Sequence, residues 1–363
     1  MPQVAGFRGT RNETGRAVYR YHQIFEGAGR SFTRKNLILA VRLSAWSEGV
    51  IRPHEATQPV LRDAALARIR ASASHTEPVL LGFRDPPNEV DRLMRRSEGG
   101  APTHEVTTPD GVVHRVWRLQ DAELLGKLRH YFAPKKLHVL DGHARYEAML
   151  AYHEELAAKH SLSMYSSANY GLACLVNLED PTLATAPRHR VLRGDFTREA
   201  VLAAARTHFI VEPLAGAAGD LAKQFAALAD TVAHQPAFVA VFAGDHDAYK
   251  LTLSPEVSPY TEGVAPHRAL QKLDPVVADG LFVARALKGA EIATDTDATR
   301  ALATLAAKDK PAAVVLIMRP LSVEQIAHVD ELGQLLPAGS TAFHPPLADN
   351  LVTLTLDPDE DLV

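Results

Sequence analysis

Four short polar clusters stand beside apolar stretches of the sequence, and together they supply side chains suited to phosphoryl transfer. The clusters are His54-Glu55, then Asp141 with His143 and Arg145, then His189-Arg190, and last Ser340-Thr341. A carboxylate can accept a proton from an attacking hydroxyl, and cationic donors can neutralise phosphate charge. Phosphoryl transfer depends mainly on positioning and charge neutralisation, so this set of residues favours that chemistry.

The cluster around Asp141 lies where a predicted strand passes directly into a predicted helix. An apolar run over 137–140 ends at Asp141-Gly142, and apolar residues then recur at helical spacing. The first turn of a helix has unpaired N–H groups and a positive dipole end, so it favours an anion such as phosphate. Gly142 permits close approach of a ligand, His143 and Arg145 add donors, and Asp141 could accept a proton or hold a metal. The alternative interpretation is an ordinary corner in which Asp141 caps the helix.

Several common catalytic motifs are missing from the sequence. It has no G-x-x-x-x-G-K-[ST] loop, no G-x-S-x-G elbow and no G-x-G-x-x-G turn, which leaves a Walker-type kinase, an α/β-hydrolase and a dinucleotide-binding domain without support. Its 17 histidines suggest a metal, but no pair has the H-E-x-x-H spacing that places two ligands on one helix face. The single cysteine, Cys174, excludes an internal disulfide and a cysteine-based zinc site.

The composition is that of an ordinary globular protein, with 46% hydrophobic and 23% charged residues among 363. The formal net charge of −4 gives no electrostatic support for binding nucleic acid or an anionic membrane. No apolar run is long enough to span a membrane, and the amino-terminal segment lacks a signal-peptide core. We therefore expect a cytoplasmic protein whose oligomeric state these features do not determine.

The order of the predicted elements indicates an α+β fold. Strands are predicted over 17–25, 37–43, 78–83, 112–119, 137–140, 171–178, 236–243, 249–253, 312–318 and 351–356, and helices over 59–73, 121–132, 143–150, 273–287, 299–307 and 323–332. Residues 85–111 show little periodicity and are predicted to form an exposed excursion. The loop 27–30 predicts a hairpin of the first two strands, and the strands over 236–243 and 249–253 are predicted to pair. Because the chain becomes alanine-rich after Gly194, we predict two domains, 1–194 and 195–363.

Several motifs resemble one known family in order and spacing. IRPHEAT, HVLDGHARYEAM, APRHRVL and LLPAGSTAFHPPLADNLVTLTL follow its patterns pHE-x-T, aDGHHRYea, PtHR and mP-x-KST-x-F-x-PKl. The chain thus resembles the bacterial and archaeal "domain of unknown function ten-fifteen" family over nearly its whole length. That family is similar to SerK-type free-serine kinases of the ParB/sulfiredoxin superfamily. The resemblance implies a ParB/sulfiredoxin-like nucleotide-binding domain over 1–194 and a second α+β domain over 195–363.

The resemblance also implies an activity, an ATP- or ADP-dependent kinase of free L-serine that uses Mg²⁺. Glu55, with His54 beside it, would activate the hydroxyl, and Asp141 would be the second active-site carboxylate and the metal ligand. Phosphate and nucleotide would be bound by the remaining cluster residues, Gly142, His143, Arg145, His189, Arg190, Ser340 and Thr341. Glu55 and Asp141 should therefore converge on one cleft, with His189 or Arg190 on its wall.

The chain departs from the family pattern at positions that would face an anionic ligand. Gly339 and Pro346 stand where the pattern has lysines, and Ala144 replaces its second histidine. These differences leave open a second hypothesis, a non-catalytic regulatory protein that binds a nucleotide. A third hypothesis is another enzyme chemistry, such as nucleotide hydrolysis or a metal-assisted reaction that uses Asp141 and His143.

Overall fold

The structure is a computed structural model that describes residues 3–9, 13, 15–27, 29–232 and 234–362. The chain divides into two units, Met1–Ala184 with Phe343–Val363, and Thr185–Ala342. Helix accounts for 31% and strand for 30% of the structure, which confirms the predicted α+β class. Within the described ranges, no helix is long and apolar enough to cross a membrane.

The strands that build the sheets are short to medium in length. In chain order they are β1 (Val4–Ala5), β2 (Val18–Gly27), β3 (Arg30–Arg42), β4 (Ile51–Arg52), β5 (Ser74–His75), β6 (Val79–Phe83), β7 (His104–Thr107), β8 (Val113–Leu119), β9 (Leu137–Asp141), β10 (Tyr170–Asn177), β11 (Ala184–Ala186), β12 (His189–Arg193), β13 (Phe209–Leu214), β14 (Ala237–Phe242), β15 (Ala248–Leu253), β16 (Glu291–Asp295), β17 (Val314–Ile317), β18 (Ala342–His344) and β19 (Leu354–Thr355). Strands β6, β14 and β17 are buried at every residue, as expected for apolar strands covered on both faces.

The helices begin at conventional capping residues in several cases. In chain order they are α1 (Pro59–Ser72), α2 (Glu89–Met94), α3 (Ala122–Phe132), α4 (His143–Lys159), α5 (Arg198–Ala205), α6 (Leu221–Ala229), α7 (Asp274–Val277), α8 (Ala284–Ala286), α9 (Ala298–Ala303) and α10 (Val323–Glu331). Asp121, for example, accepts hydrogen bonds from two backbone N–H groups at the start of α3. The helix predicted over 273–287 is instead α7 and α8 joined by a π-helical turn, Ala278–Val283.

The sheet of the first unit contains two parallel strand pairs that point in opposite directions. Its order is β4-β9-β6-β10-β3-β2-β8-β7, with β1 also paired to β3. Strands β4 and β9 are parallel, β6 and β10 are parallel, and β6 is antiparallel to β9. The carboxyl ends of β4 and β9, at Arg52 and Asp141, form what we call the junction end. The carboxyl ends of β6 and β10, at Phe83 and Asn177, form the opposite, cavity end.

The carboxyl-terminal segment Phe343–Val363 belongs to the first unit. Its strand β19 pairs with β5. The fully buried Arg34, on β3, donates hydrogen bonds to the backbone oxygens of His344 (3.1 Å) and Pro345 (2.5 Å). The first unit is therefore assembled from two separate pieces of the chain.

The second unit is a sheet covered by helices on both faces. Its strand order is β13-β15-β14-β17-β12-β16. Adjacent residues of β14 face opposite sides: Phe238 packs in a core with residues of α5 and α7, and Val239 in another with residues of α6 and α9. The predicted pairing of the strands near 236–243 and 249–253 is confirmed, since β14 and β15 are antiparallel neighbours.

The two units divide the chain at positions that differ from the predicted boundary at 194. Strand β12 pairs with β16 and β17, so it belongs to the second sheet, and the boundary precedes it. The return of Phe343–Val363 to the first unit is the second difference. The change in composition marks where the alanine-rich helices begin. The boundary lies before that point because backbone hydrogen bonds place β12 in the second sheet. Likewise, the predicted excursion over 85–111 includes α2 and β7.

Candidate functional site

The junction end brings two of the predicted clusters together. Strand β4 is followed by Pro53, His54 and Glu55, and strand β9 by Gly142 and α4. Because β4 and β9 are parallel neighbours, their continuations leave the sheet at the same end. The His54-Glu55 segment consequently lies at the start of α4, although it is far from that helix in sequence.

Gly142 makes the direct passage from strand to helix possible. Its backbone is left-handed, with φ 94° and ψ 28°, and it is the N-cap of α4. A Cβ at this position would lie 2.8 Å from Nε of Arg145. Both the backbone conformation and the packed guanidinium therefore require glycine. Asp141 is not the N-cap residue of the helix, because Gly142 occupies that position.

His143 and His54 are buried against each other at the start of α4. The backbone N–H of His54 donates to Nε2 of His143 over 3.3 Å, and the rings meet edge to face with centroids 4.6 Å apart. Burial, with a smaller effect from His54, lowers the pKa of His143 to about 3. His143 is therefore neutral, accepts through Nε2 and carries its proton on Nδ1. It can donate one hydrogen bond to a ligand but supplies no positive charge.

Glu55 lies beside the ring of His54 in a buried position. Nδ1 of His54 is 2.7 Å from the backbone oxygen of Val139, and since a carbonyl only accepts, Nδ1 is the protonated nitrogen. The other nitrogen, Nε2, lies 3.6 Å from Oε1 of Glu55. The backbone of β9 thus fixes the His54 ring, and the ring in turn lies against the carboxylate expected to act as a base.

Arg145 places its guanidinium over the helix start and between carboxylates. Its Nη2 donates to Oδ2 of Asp141 over 2.9 Å, and Nη1 lies 3.8 Å from Oε2 of Glu77. Its Nε is buried and has no hydrogen-bond partner within the described residues. Arg145 is the cation nearest the Gly142 backbone, and its Nε is a donor that an anion could engage.

Two acidic residues beside Arg145 were not predicted from the sequence. Glu77 lies just before β6, and Asp349 belongs to the carboxyl-terminal segment, which is anchored here because Asn350 N donates to Thr76 O over 2.9 Å. Burial raises the pKa of the Asp349 carboxyl, opposed by Arg145 and supported by the charges of Glu77 and Asp141. No local pattern links these positions to residue 141, so only the fold reveals that they share one site.

The remaining predicted site residues lie in the second unit, where they are buried. His189 accepts a hydrogen bond from Met318 N over 3.1 Å, and burial lowers its pKa to about 4. Arg190 forms two hydrogen bonds with Asp279, of 2.9 and 2.8 Å, and a third with Gly339 O of 2.7 Å. Asp279 lies in the π-helical turn after α7, and its carboxylate accepts the hydrogen bonds from Arg190.

Ser340 and Thr341 adjoin the same arrangement in the second unit. The hydroxyl of Ser340 donates to Pro337 O over 2.6 Å, and Arg188 Nε donates to Thr341 O over 3.0 Å. Gly339 has a left-handed φ of 71°, a conformation that disfavours the lysine of the family pattern. The third and fourth clusters of the sequence are thus brought together by backbone contacts of Arg188 and Arg190.

Comparisons with known proteins identify a family. A model of the family described as Protein of unknown function (DUF1015) matches residues 10–276, which is more than half of the chain. No curated protein matches it.

Among solved structures, the chain is similar to a free serine kinase in complex with AMP, at 12% identity over 90% of this chain and 93% of that one, with a TM-score of 0.45. It is similar to SbnI with C-terminal truncation from Staphylococcus aureus, at 15% identity over 89% and 90% and a TM-score of 0.43. A conserved hypothetical protein from Pyrococcus furiosus matches at 12% identity over 86% and 93%, also with 0.43. At such identities and scores, a likeness does not transfer an activity to this chain.

Proposed function

The chain belongs to the family described as Protein of unknown function (DUF1015), and on that premise we propose that it is a nucleotide-dependent phosphotransferase acting on a small hydroxy amino acid. The proposed acceptor is free L-serine, which would become O-phosphoserine, and the donor is ATP or ADP. The first unit would be the nucleotide-binding domain, with a ParB/sulfiredoxin-like fold. The family motifs at the junction end support this choice of donor and acceptor.

The contact between His54 and His143 is the observation that carries the proposal. It joins the segment containing Glu55 to the first residue of α4 through a 3.3 Å hydrogen bond. A buried carboxylate is thereby held near a helix N-terminus, where phosphate binding is favoured. A kinase needs this combination, because the base must lie close to the phosphoryl group that its substrate attacks.

The proposed reaction assigns one task to each group at the junction end. Glu55 accepts the proton of the serine hydroxyl while the hydroxyl oxygen attacks the terminal phosphorus of the nucleotide. An oxygen–phosphorus bond forms as the bond to the leaving oxygen breaks, and ADP or AMP departs with that electron pair. The α4 amides, Nδ1 of His143 and the guanidinium of Arg145 bind the phosphate oxygens.

We propose that a Mg²⁺ ion arrives at the junction end together with the nucleotide. Within the described residues, no group of three or more His, Cys, Asp or Glu side chains is arranged to hold a metal ion. Mg²⁺ is often held by only one or two carboxylates together with substrate phosphates. Asp141 uses Oδ2 for Arg145, and we propose that it contributes the protein carboxylate. The ion would offset charge on the transferring phosphoryl group.

The test is a transfer assay on the purified full chain. ATP or ADP, Mg²⁺ and a panel of free amino acids would be incubated with the protein, and phosphorylated products identified by mass spectrometry. We expect O-phosphoserine, and no product from alanine, which lacks a hydroxyl. The proposal fails if no hydroxy amino acid is phosphorylated with either nucleotide.

A second candidate function is nucleotide binding without catalysis, as in a regulatory protein. It is favoured by the shortage of cations: Arg145 faces the carboxylates of Asp141 and Glu77, and Gly339 and Pro346 replace family lysines. Calorimetric binding of ADP without any transfer would establish this alternative.

Contacts of the second unit with the nucleotide remain a prediction for His189, Arg190, Ser340 and Thr341. Arg190 could reach a phosphate only by giving up hydrogen bonds to Asp279. Cross-linking with an azido-nucleotide, followed by peptide mapping, would show whether the second unit contributes to binding.

A further inference from the structure

The cavity end of the first sheet encloses a second potential site, away from the junction end. Its volume is about 440 Å³, within the range of small-molecule pockets. Residues of β3 line it, together with the loops that follow β6 and β10. Loops at the carboxyl ends of parallel strands are where open α/β sheets commonly bind ligands.

The two cations of the cavity lining are already neutralised by carboxylates. Buried Arg20 pairs with Asp91 and donates to Oε1 of Glu98 over 2.8 Å. Lys35 lies 3.1 Å from Oε2 of Glu98 and 3.7 Å from Oδ1 of Asp91. Neither side chain therefore offers an uncompensated positive charge to an anionic ligand.

The other charged residues of the lining are all acidic, namely Asp85, Glu179 and Asp180. Asp85 is fully buried: its Oδ2 accepts from Val90 N over 2.8 Å, whereas its Oδ1 has no hydrogen-bond partner within the described residues. A buried carboxylate oxygen without a partner is costly, and a cationic donor would compensate it. Glu179 is partly offset by exposed Arg84, whose Nη1 lies 3.4 Å from Oε1, and the Tyr131 hydroxyl interacts with the Asp85 carboxylate. Carboxylates still outnumber cations around the cavity, and Asp85 keeps acceptor capacity for a further donor.

From this geometry we propose that the cavity binds a small organic cation that carries a primary ammonium group. An ammonium has three donors for the carboxylates, and a short aliphatic chain would lie against Phe83, Pro86 and Leu175 of the lining. A bare metal ion is a poorer fit, because no described residues form a group of three potential ligands. The inference is independent of phosphoryl transfer at the junction end, since it depends on other residues.

The first experiment uses the unmodified full chain and putrescine, butane-1,4-diamine, as the probe. Calorimetry should show putrescine binding that weakens as NaCl is added, whereas the neutral isostere butane-1,4-diol should not bind. A crystal structure with putrescine should show its ammonium within hydrogen-bond distance of the cavity carboxylates. Absence of binding up to about 10 mM, equal binding of the diol, or putrescine bound elsewhere would each overturn the proposal.

Two charge-removing variants test the same inference in solution. Glu179→Gln keeps an oxygen that can accept from Asp85 N, as Oε2 does now over 2.9 Å. Asp91→Asn keeps the shape of its side chain but leaves Arg20 and Lys35 less compensated, so that they repel an ammonium group. Each should weaken putrescine binding about 10-fold, in line with the loss of a charged hydrogen-bond partner. Glu123→Gln, on the exposed face of α3, is the matched control and should bind as the wild type does. Unchanged affinity in both cavity variants would contradict the assignment, whatever the diol result.

Discussion

The junction end and the cavity end of the first sheet are each formed by the carboxyl ends of a pair of parallel strands. They differ in the segments that follow those strands. At the junction end, β9 enters α4 after the single residue Gly142, so backbone N–H groups and a close histidine contact occupy the strand ends. At the cavity end, β6 and β10 continue into loops that leave a volume of about 440 Å³. The direct passage from β9 into α4 therefore places a helix N-terminus at the junction end, whereas the loops after β6 and β10 leave space for a ligand.

The two ends also differ in the charge of the ligand they favour. At the junction end, the backbone N–H groups of a helix N-terminus favour phosphate, although the side chains there are predominantly acidic: Arg145 stands among Asp141, Glu55, Glu77 and Asp349. At the cavity end, Arg20 and Lys35 are neutralised, and carboxylates such as Asp85 and Glu179 remain. If both proposals hold, one sheet separates a phosphate site from an ammonium site by the direction of its strands. Four variants at the junction end test this separation.

The largest expected effect is that of Glu55→Gln on transfer. The substitution keeps the shape and hydrogen bonding of the side chain but removes the base, so phosphoryl transfer should fall roughly 10²–10⁴-fold. Nucleotide affinity and putrescine binding at the cavity end should stay as in the wild type. Product formation would be followed by mass spectrometry, with Glu123→Gln as the matched control. Transfer at the wild-type rate would assign the base elsewhere, and Asp141 would be tested next.

Arg145→Ala should weaken nucleotide binding. The loss of a hydrogen bond to a charged group is worth about 1.5–3 kcal/mol, and calorimetry with ADP would measure it. Arg70→Ala is a suitable control, because Arg70 pairs with Glu155 on an exposed surface and should leave ADP affinity unchanged. Equal affinities in wild type and Arg145→Ala would remove the phosphate assignment and the contrast between the two ends.

His143→Gln should reduce the pH dependence of stability. Burial lowers the pKa of His143 to about 3. The titratable and charged side chains that also act on this pKa are those of His54, Glu55, Asp141 and Arg145. An unfolded histidine titrates near 6.5, so between these values the unfolded state binds more protons and stability falls as the pH falls. The expected loss from this group is about 2 kcal/mol between roughly pH 7 and pH 5. Urea unfolding at both pH values would show it, and identical pH dependence in variant and wild type would contradict it.

Gly142→Ala should have the smallest effect of the four. A left-handed backbone costs a residue with a Cβ about 1–2 kcal/mol, and the added atom would displace Arg145. Urea unfolding should show that destabilisation, and ADP affinity should also fall. The control is Gly126→Ala, inside α3 with no neighbouring atom within 4 Å of the added Cβ, which should stabilise by about 0.5–1 kcal/mol. If both substitutions stabilise, the tight turn at the junction end is not required.

The junction end is the part that the sequence predicts best, because its determinants are local. The apolar run before Asp141, the glycine at 142 and the helical spacing after it are consecutive, and the structure has β9, a left-handed Gly142 and α4 in that order. The predicted hairpin of β2 and β3 is also confirmed, with Gly27 opposite Arg30. Family motifs added the His54-Glu55 segment, which local patterns alone do not connect to residue 141.

The rest of the site depends on contacts between distant residues, which local patterns do not encode. Asp85 and Asn177 are hydrogen-bonded to each other where two parallel strands end, although they are far apart in sequence. The segment after Asp85 shows too little periodicity to predict that it lines a cavity. The charge of Arg145 acts on Asp349 only because the carboxyl-terminal segment returns to the first unit. Arg190, which is predicted from its motif to bind a ligand, pairs with Asp279, a distant residue that the motif does not indicate.

The two-piece construction of the first unit has a consequence for how the protein is made. A ribosome completes β3 early, yet buried Arg34 acquires two of its acceptors only when His344 and Pro345 emerge. The whole of Thr185–Ala342 is synthesised in between and can fold first. During translation, Arg34 can bond to Gln23 in the earlier piece, but its other acceptors become available only with the later one. Ribosome-bound chains that stop before residue 343 should expose their first unit to protease while the second is already protected.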